Sequence, residues 1–447
     1  MRTLILCTFI AGLFLASPAA RAVDIQEVTG PKSGVKAWLV EDHKLPIIAM
    51  HLAFDGGSEQ DPVAKQGLAA LTVAALTEGA GPYSATAFQQ QLADRSIFLN
   101  FDAERDEIDG SLKSLSADKD KAFELLQLAL TKPHFDTKDI ERLRAAQLAG
   151  IRQQFADPNW QARYALLSHL FAGHPYGQRH LGTTQSLQSL TNDDIRGFAA
   201  RHFARDNLTV AVAGDLTPAE LAAVLDKTFA DLPAHARLTV IDDVTPTTDT
   251  PTILVHRDGT QTDILFSMPG PKRDDPDWYA AEIANYVMGG GGFSSRLMQD
   301  VRDKKGLTYG VDTDLSPAQH AGLIFGQAAV DNPKVGEALD TMRETMHRFH
   351  DEGPTSREIT AAKDYLTGSQ PLALTTTDKI AGVLVSMQRD HLGRDYLDRY
   401  TEIMRGVTAK DIDRAIDRWF NPDKITWVLV GQPDNVVVTQ TKDSVKQ

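Results

Sequence analysis

The side chains able to do chemistry in this sequence are few and scattered, and their spacing limits what they can do. In "MHRFHDEG", His347 and His350 fall on one face of a helix with Asp351 and Glu352 beside them, a pattern that fits either a metal ligand pair or a polar helix end. In "HPYGQRH", His174 and His180 flank Pro and Gly and read as a structural turn before the next helix. "VRDKKGLTY" sets Arg302 and Tyr309 seven residues apart. A guanidinium can donate two hydrogen bonds to a peptide carbonyl, and a phenol can stabilise a developing oxyanion. The same pair reads equally as an ordinary surface arginine on an Asp- and Lys-rich helix and the first buried residue of a strand. The run Gly289, Gly290, Gly291 and Gly292 in "VMGGGGFSSRL" permits close backbone approach and positive φ. It is either a mobile loop facing a binding chamber or a break between two helices. No strand precedes it and no Gly-Lys-Ser/Thr follows, so it is not a phosphate loop. There is no serine nucleophile elbow, and the single cysteine is Cys7. Against these, residues 66–81, "QGLAALTVAALTEGAG", form a helical pattern in which residues 66–77 hold no His, Glu, Asp or Cys.

The elements that carry these residues occur twice. "VKAWLVED" and "IIAMHLAF" read as strands, two helical stretches run to Arg95, and "IFLNFDAERDEIDGSLKSL" is a strand pair. A run of helices follows, then the strand "NLTVAVAGD" and a helix near "TPAELAAVLDKTF". The second half repeats the order from "TILVHRD" and "DILFSMPG" to "ITWVLVG". "TNDDIRGFAARHFARDNLTVAVAGD" from Thr191 aligns without a gap on "TAKDIDRAIDRWFNPDKITWVLVGQ" from Thr408, with eight of 25 positions identical. The expected architecture is α+β: two duplicated units, each an antiparallel sheet with helices packed on one face. The units span 23–235 and 251–447, joined by a Pro- and Thr-rich linker at 236–250.

Composition narrows the class. With 447 residues and 42% hydrophobic content the chain exceeds one core and is not disordered. The N-terminus has a basic Arg2, an apolar stretch from about Leu4 to Ala16, and small residues at Ala20 and Ala22, which predicts a cleaved secretory signal over residues 1–22. The apolar run is shorter than the roughly 20 residues of a membrane span, and no later segment qualifies. Cleavage would remove Cys7 and leave no thiol, which suits a Gram-negative periplasm. The net charge of −14 would become about −16 on loss of Arg2 and Arg21. Such a surface repels nucleic acid and attracts cationic peptides.

"GVKAWLVEDHKLPIIAMHLAFDGGSEQDPVAKQGLA", "HPYGQRHLGTTQSLQSLTNDDI" and "GGGGFSSRLMQDVRDKKGLTYGV" resemble the pitrilysin and insulinase family of metallopeptidases, in particular the half-length subunits related to mitochondrial processing peptidase. The likeness implies a duplicated α+β fold and pairing of two half-length chains into a clamshell around an unfolded peptide. It also implies an inverted zinc motif, His-x-x-Glu-His, directly after the Gly-Leu-Ala that here is Gly67, Leu68 and Ala69. Histidines four apart and a glutamate between them reach one zinc ion and its water. In this chain those positions are Ala70, Val73 and Ala74, and the family's third ligand, a glutamate, falls at Gly150. None of the four can bind a metal or accept a proton. Arg302 and Tyr309 match the spacing of the family's pair that reaches the substrate carbonyl and tetrahedral intermediate.

The expectation is therefore a non-catalytic subunit of a periplasmic zinc metallopeptidase. It would bind no cofactor itself and pair with a zinc-bearing relative to hold unfolded peptides. The alternative is a peptide-binding or structural scaffold without a protease partner.

Overall fold

The computed structural model describes residues 23–247 and 249–444; the expected signal segment and Cys7 lie outside them. The first repeat opens with β1 (Gln26–Thr29), β2 (Lys36–Glu41) and β3 (Ile47–Asp55), followed by α1 (Leu68–Ala74) and α2 (Ala85–Asp94). The hairpin β4 (Phe98–Ala103) and β5 (Glu107–Leu115) leads to α3 (Lys119–Thr131), α4 (Thr137–Ala156), α5 (Pro158–Leu170), α6 (Thr184–Ser189) and α7 (Asn192–His202). β6 (Leu208–Gly214) and α8 (Pro218–Phe229) close the repeat. The second repeat starts with β7 (Thr252–His256), β8 (Gln261–Pro269) and α9 (Trp278–Asn285), which runs on into π-helical turns at Tyr286–Gly290 and, after the glycines, Met298–Lys304. β9 (Thr308–Pro317) and β10 (Gly322–Asp331) form its hairpin. α10 (Val335–Glu352), α11 (Ser356–Ser369), α12 (Thr377–Arg389), α13 (Tyr396–Gly406) and α14 (Ala409–Trp419) precede β11 (Thr426–Gly431) and β12 (Gln440–Lys442).

The two sheets have matching orders, β1-β2-β6-β3-β5-β4 and β12-β7-β11-β8-β10-β9. The outer sixth strand differs: β1 precedes its sheet in the chain and lies antiparallel to β2, whereas β12 follows its sheet and lies parallel to β7. The α+β class and the duplication stand as the sequence implied them, but the pairing is mixed. β6 is parallel to β2 and β11 is parallel to β7. Each of these strands returns to the middle of its sheet after a long helical run, and that connection frees it from the antiparallel geometry of a hairpin. Local chemistry repeats as well. Thr191 and Thr408 each cap a helix by accepting from the amide three residues on, and Asp194 and Asp411 reach back to the cap amide.

Helices cover both faces of each sheet, and the second covering helix is exchanged between the repeats. One face of the first sheet, with Leu39, Met50, Phe54 and Val212, packs on helices of its own repeat. The residues between them, Trp38, Val40, Ala49, Ala53, Ala211 and Ala213, face α12 of the second repeat through Ala381, Leu384 and Val385. In return α5 lays Ala162, Leu166 and Leu170 against Ile253, Val255, Val428 and Val430 of the second sheet. Period-two alternation that is apolar on both faces is the signature of a sheet buried on both sides, and the alanines leave room for α12. The linker region 236–250 holds no helix or strand among its described residues and is tied to both repeats. Arg237 N donates to Arg201 O at 2.8 Å, and Val244 N donates to His320 O at 2.9 Å.

Candidate functional site

The helical pattern over residues 66–81 yields only α1, seven residues long. It starts at Gly67 in the left-handed region at φ 87°, where an added Cβ would lie 2.4 Å from the Leu181 carbonyl oxygen, so glycine is required there. The buried carboxylate of Asp61 caps the start. Its Oδ2 accepts from Gly67 N at 2.8 Å and its Oδ1 from Ala69 N at 2.9 Å. Burial nevertheless pushes Asp61 up to about 7, outweighing the stabilising amides. Gln147 on α4 donates to Gly67 O at 3.1 Å and to Leu181 O at 2.9 Å, tying α4 and the Leu181 loop to the start of α1. Gly150 lies one turn further along α4 with only Leu181 Cδ1, 3.8 Å away, near the position of a Cβ. The elements that would bring four metal-site groups together are thus present and bonded to one another. Their side chains are methyl, isopropyl and hydrogen: Ala70 half-buried, Val73 buried and Ala74 exposed. This donor set does not fit zinc, and no catalytic step can be routed through it.

The histidine pairs have other work. His174 Nδ1 accepts from Tyr176 N at 3.2 Å and the ring stands edge-on to Tyr176, a turn-forming role. Burial holds His180 below its usual range. His350 sits 3.2 Å from Asp351 at the end of α10, and His347 is exposed. Among the described residues no group of three or more His, Cys, Asp or Glu is placed to hold a metal ion.

The structure brings Arg302, Tyr309 and the glycine run into one surface patch. Arg302 Nε donates to the Tyr309 carbonyl oxygen at 3.1 Å, and the guanidinium carbon lies 4.8 Å over the ring of Phe293, the residue that follows Gly292. Tyr309 is 89% exposed, which removes the buried-strand reading, and Phe293 is 69% exposed. The glycines themselves are packed. A Cβ on Gly289 would lie 2.3 Å from Thr313 Oγ1 on β9, and one on Gly291 would lie 2.6 Å from Tyr286 O. Gly289 and Gly290 belong to the π-helical turn, and Gly292 alone of the four has positive φ. The geometry is that of a helix break which presses its backbone on β9 and turns Phe293 outward. Phe293 escaped sequence reasoning, although a phenylalanine directly after four glycines has no neighbouring side chains to bury it.

Sequence reasoning also missed a cavity of about 760 Å³ where the repeats meet, walled by the β4–β5 turn, α5, the β9–β10 turn and the C-terminal end of α12. Beside it the Glu59 carboxylate is buried. Burial and the neighbouring Asp106 push Glu59 up to about 8, and His320 Nε2 of the second repeat lies 3.4 Å from it. Asp106 Oδ2 accepts from Gln319 N at 2.9 Å, and the Tyr176 hydroxyl accepts from His320 N at 3.0 Å, so the β9–β10 turn is anchored in the first repeat. The available signal was the charge run Glu104 to Glu107 in a hairpin turn, where solvated charge is ordinary.

Residues 36–184 match the insulinase family (peptidase family M16), and residues 189–366 match the peptidase M16 inactive domain. A Helicobacter pylori protein described as the non-peptidase homologue YmxG is 30% identical over 370 residues, covering 82% of this chain and 84% of the relative. The crystal structure of a peptidase M16 inactive domain from Pseudomonas fluorescens superposes with a TM-score of 0.85 at 29% identity, over 94% of this chain and all of that one. A Helicobacter pylori protease superposes with a TM-score of 0.82 at 18% identity, over 91% of this chain and 99% of that one, and shares the fold.

Proposed function

This chain belongs to the insulinase family, peptidase family M16, and we propose that it is a non-catalytic, peptide-binding subunit that pairs with a zinc-bearing relative in the periplasm. One observation carries the reading: α1, α4 and the Leu181 loop are tied together around positions that carry no metal donor, while Tyr309 beside Arg302 is displayed to solvent. In such a pair the relative supplies zinc and its activated water. This chain supplies a chamber wall, with Arg302 placed to donate to a peptide carbonyl and Tyr309 to a developing oxyanion. The edge strand β4 hydrogen-bonds to one neighbour in its sheet and offers its other edge to an extended peptide, whereas the outer edge of β9 is taken by Arg302, Met298 and Asn285. The net negative charge favours basic, unfolded segments. No described helix is long and apolar enough to cross a membrane.

The test has two parts. Elemental analysis and calorimetry of the purified chain are expected to find no stoichiometric zinc at α1. Anisotropy of a labelled, unfolded basic peptide is expected to report binding that Arg302→Ala weakens. Zinc that is lost on changing α1 residues would refute the non-catalytic reading, and absence of peptide binding would leave the scaffold reading.

A further inference from the structure

Three of the cations around the cavity between the repeats are neutralised in pairs. Arg389 meets Glu107, Arg273 meets Asp390 at 3.4 Å, and Lys272 meets Asp243 at 2.9 Å. Arg105 and Arg163 are different. Arg105, half-buried in the β4–β5 turn, lies with its guanidinium carbon 4.9 Å over the ring of Tyr176. Arg163, exposed on α5, lies 4.9 Å over the ring of Phe325. Among the described residues neither guanidinium has a hydrogen-bond acceptor or a carboxylate within ion-pair distance. They are close enough to repel. Burial pulls Arg105 below its usual range, opposed by the Asp106 and Glu104 carboxylates and aided by the charge of Arg163, and burial alone lowers Arg163. Two cations on aromatic platforms, lining one cavity, keep N–H donors that no ion pair among the described residues engages, which is the donor half of a carboxylate site.

We propose that Arg105 and Arg163 bind a carboxylate of a peptide, its C-terminus or an acidic side chain, in the cavity between the repeats. The rest of the lining selects against polyanions. Asp55, Glu104, Asp106, Asp109 and Asp274 line the same cavity without an ion-pair partner among the described residues, so a ligand carrying several negative charges is repelled and one carrying a single carboxylate near cationic groups is held at both ends. The volume, about 760 Å³, accommodates a short peptide segment. The inference rests on the peptide-binding reading for its ligand but uses different residues from the Arg302–Tyr309 patch.

The experiment measures binding by the full mature chain of three labelled short basic peptides: a free acid, its C-terminal amide, and an amide carrying one internal glutamate. N-acetylglycine serves as a small carboxylate competitor. Arg163→Gln, at an exposed position, tests the site without disturbing the core, and unchanged circular dichroism checks the fold. Arg105→Lys keeps the charge and removes the fork. The free acid is expected to bind about ten- to a hundredfold more tightly than the amide, the range of a charge-assisted pair. That preference should vanish in Arg163→Gln and shrink in Arg105→Lys. Rescue of the amide by internal glutamate, dependent on Arg163, assigns the carboxylate to a side chain instead of the terminus. Equal binding of acid and amide with no gain from glutamate, or a preference that survives Arg163→Gln, overturns the site. If no peptide binds but N-acetylglycine does so through Arg163, the anion site stands and the peptide-binding reading fails.

Discussion

At the scale of single residues, the proposal rests on Arg302 and Tyr309 of the second repeat. Arg302 bonds the Tyr309 carbonyl, pairs with Asp303 at 2.6 Å and covers the Phe293 ring, all at the surface, so Arg302→Ala and Tyr309→Phe should change folding stability by no more than about 1 kcal/mol. In a reconstituted pair they should lower turnover by roughly ten- to a thousandfold, the range of a lost oxyanion donor. Steady-state kinetics decides, and wild-type rates in both variants would make them structural. Glu59 provides a pH test. Its carboxyl is buried near Asp106 and His320 and is raised from 4.5 to about 8, so the folded chain keeps a proton that the unfolded chain releases. Stability therefore falls as pH rises from about 4.5 to about 8. Glu59→Gln keeps the shape without the charge, so its urea midpoint should fall less than that of wild type between pH 5 and pH 9. Parallel midpoints would show that Glu59 does not titrate in this range. The missing zinc donors were legible because Ala70, Val73, Ala74 and Gly150 declare themselves at motif positions. Glu59, Arg105 and Arg163 were not, because a lone charged residue in a loop or helix gives no sign of what the fold will set against it.

At the scale of elements, the exchange of α5 and α12 is the main feature that the sequence did not disclose. Leu166, Leu170, Leu384 and Val385 are buried, but α12 has one apolar face in its sequence and α5 has none set apart from the rest, and an apolar face does not say which sheet receives it. The same holds for Ala49, Ala53, Ala211 and Ala213, small residues whose purpose appears only when α12 lies on them. The strand pairs and the twofold order were legible because hairpins and gapless self-alignment are local signals. The parallel entry of β6 and β11 was not, because it depends on long connections. The exchange predicts cooperativity. Leu384→Ala on α12 and Leu166→Ala on α5, both fully buried, should each cost about 2–5 kcal/mol. Both should shift one and the same unfolding transition, followed by fluorescence and circular dichroism together. Two separated transitions would mean that the repeats fold independently despite lending each other a helix.

At the scale of the whole molecule, the chain is one duplicated unit with a display surface on its second repeat and a metal-site frame without donors on its first. In a homodimer every copy of that frame would lack zinc, so hydrolysis by a zinc mechanism needs a different chain. The interface expected of a lasting pair is large and partly apolar, and the net charge of −14 would draw basic unfolded segments toward it. The most direct measurement mixes this chain with a zinc-bearing M16 relative, the partner that the proposal requires, and follows cleavage of an unfolded basic peptide while light scattering reports mass. The account predicts that the two chains, each inactive or feebly active alone, become a peptidase at equal stoichiometry, with about twice the mass of this 48.9 kDa chain. A relative that is fully active alone and never co-elutes with this chain would contradict it.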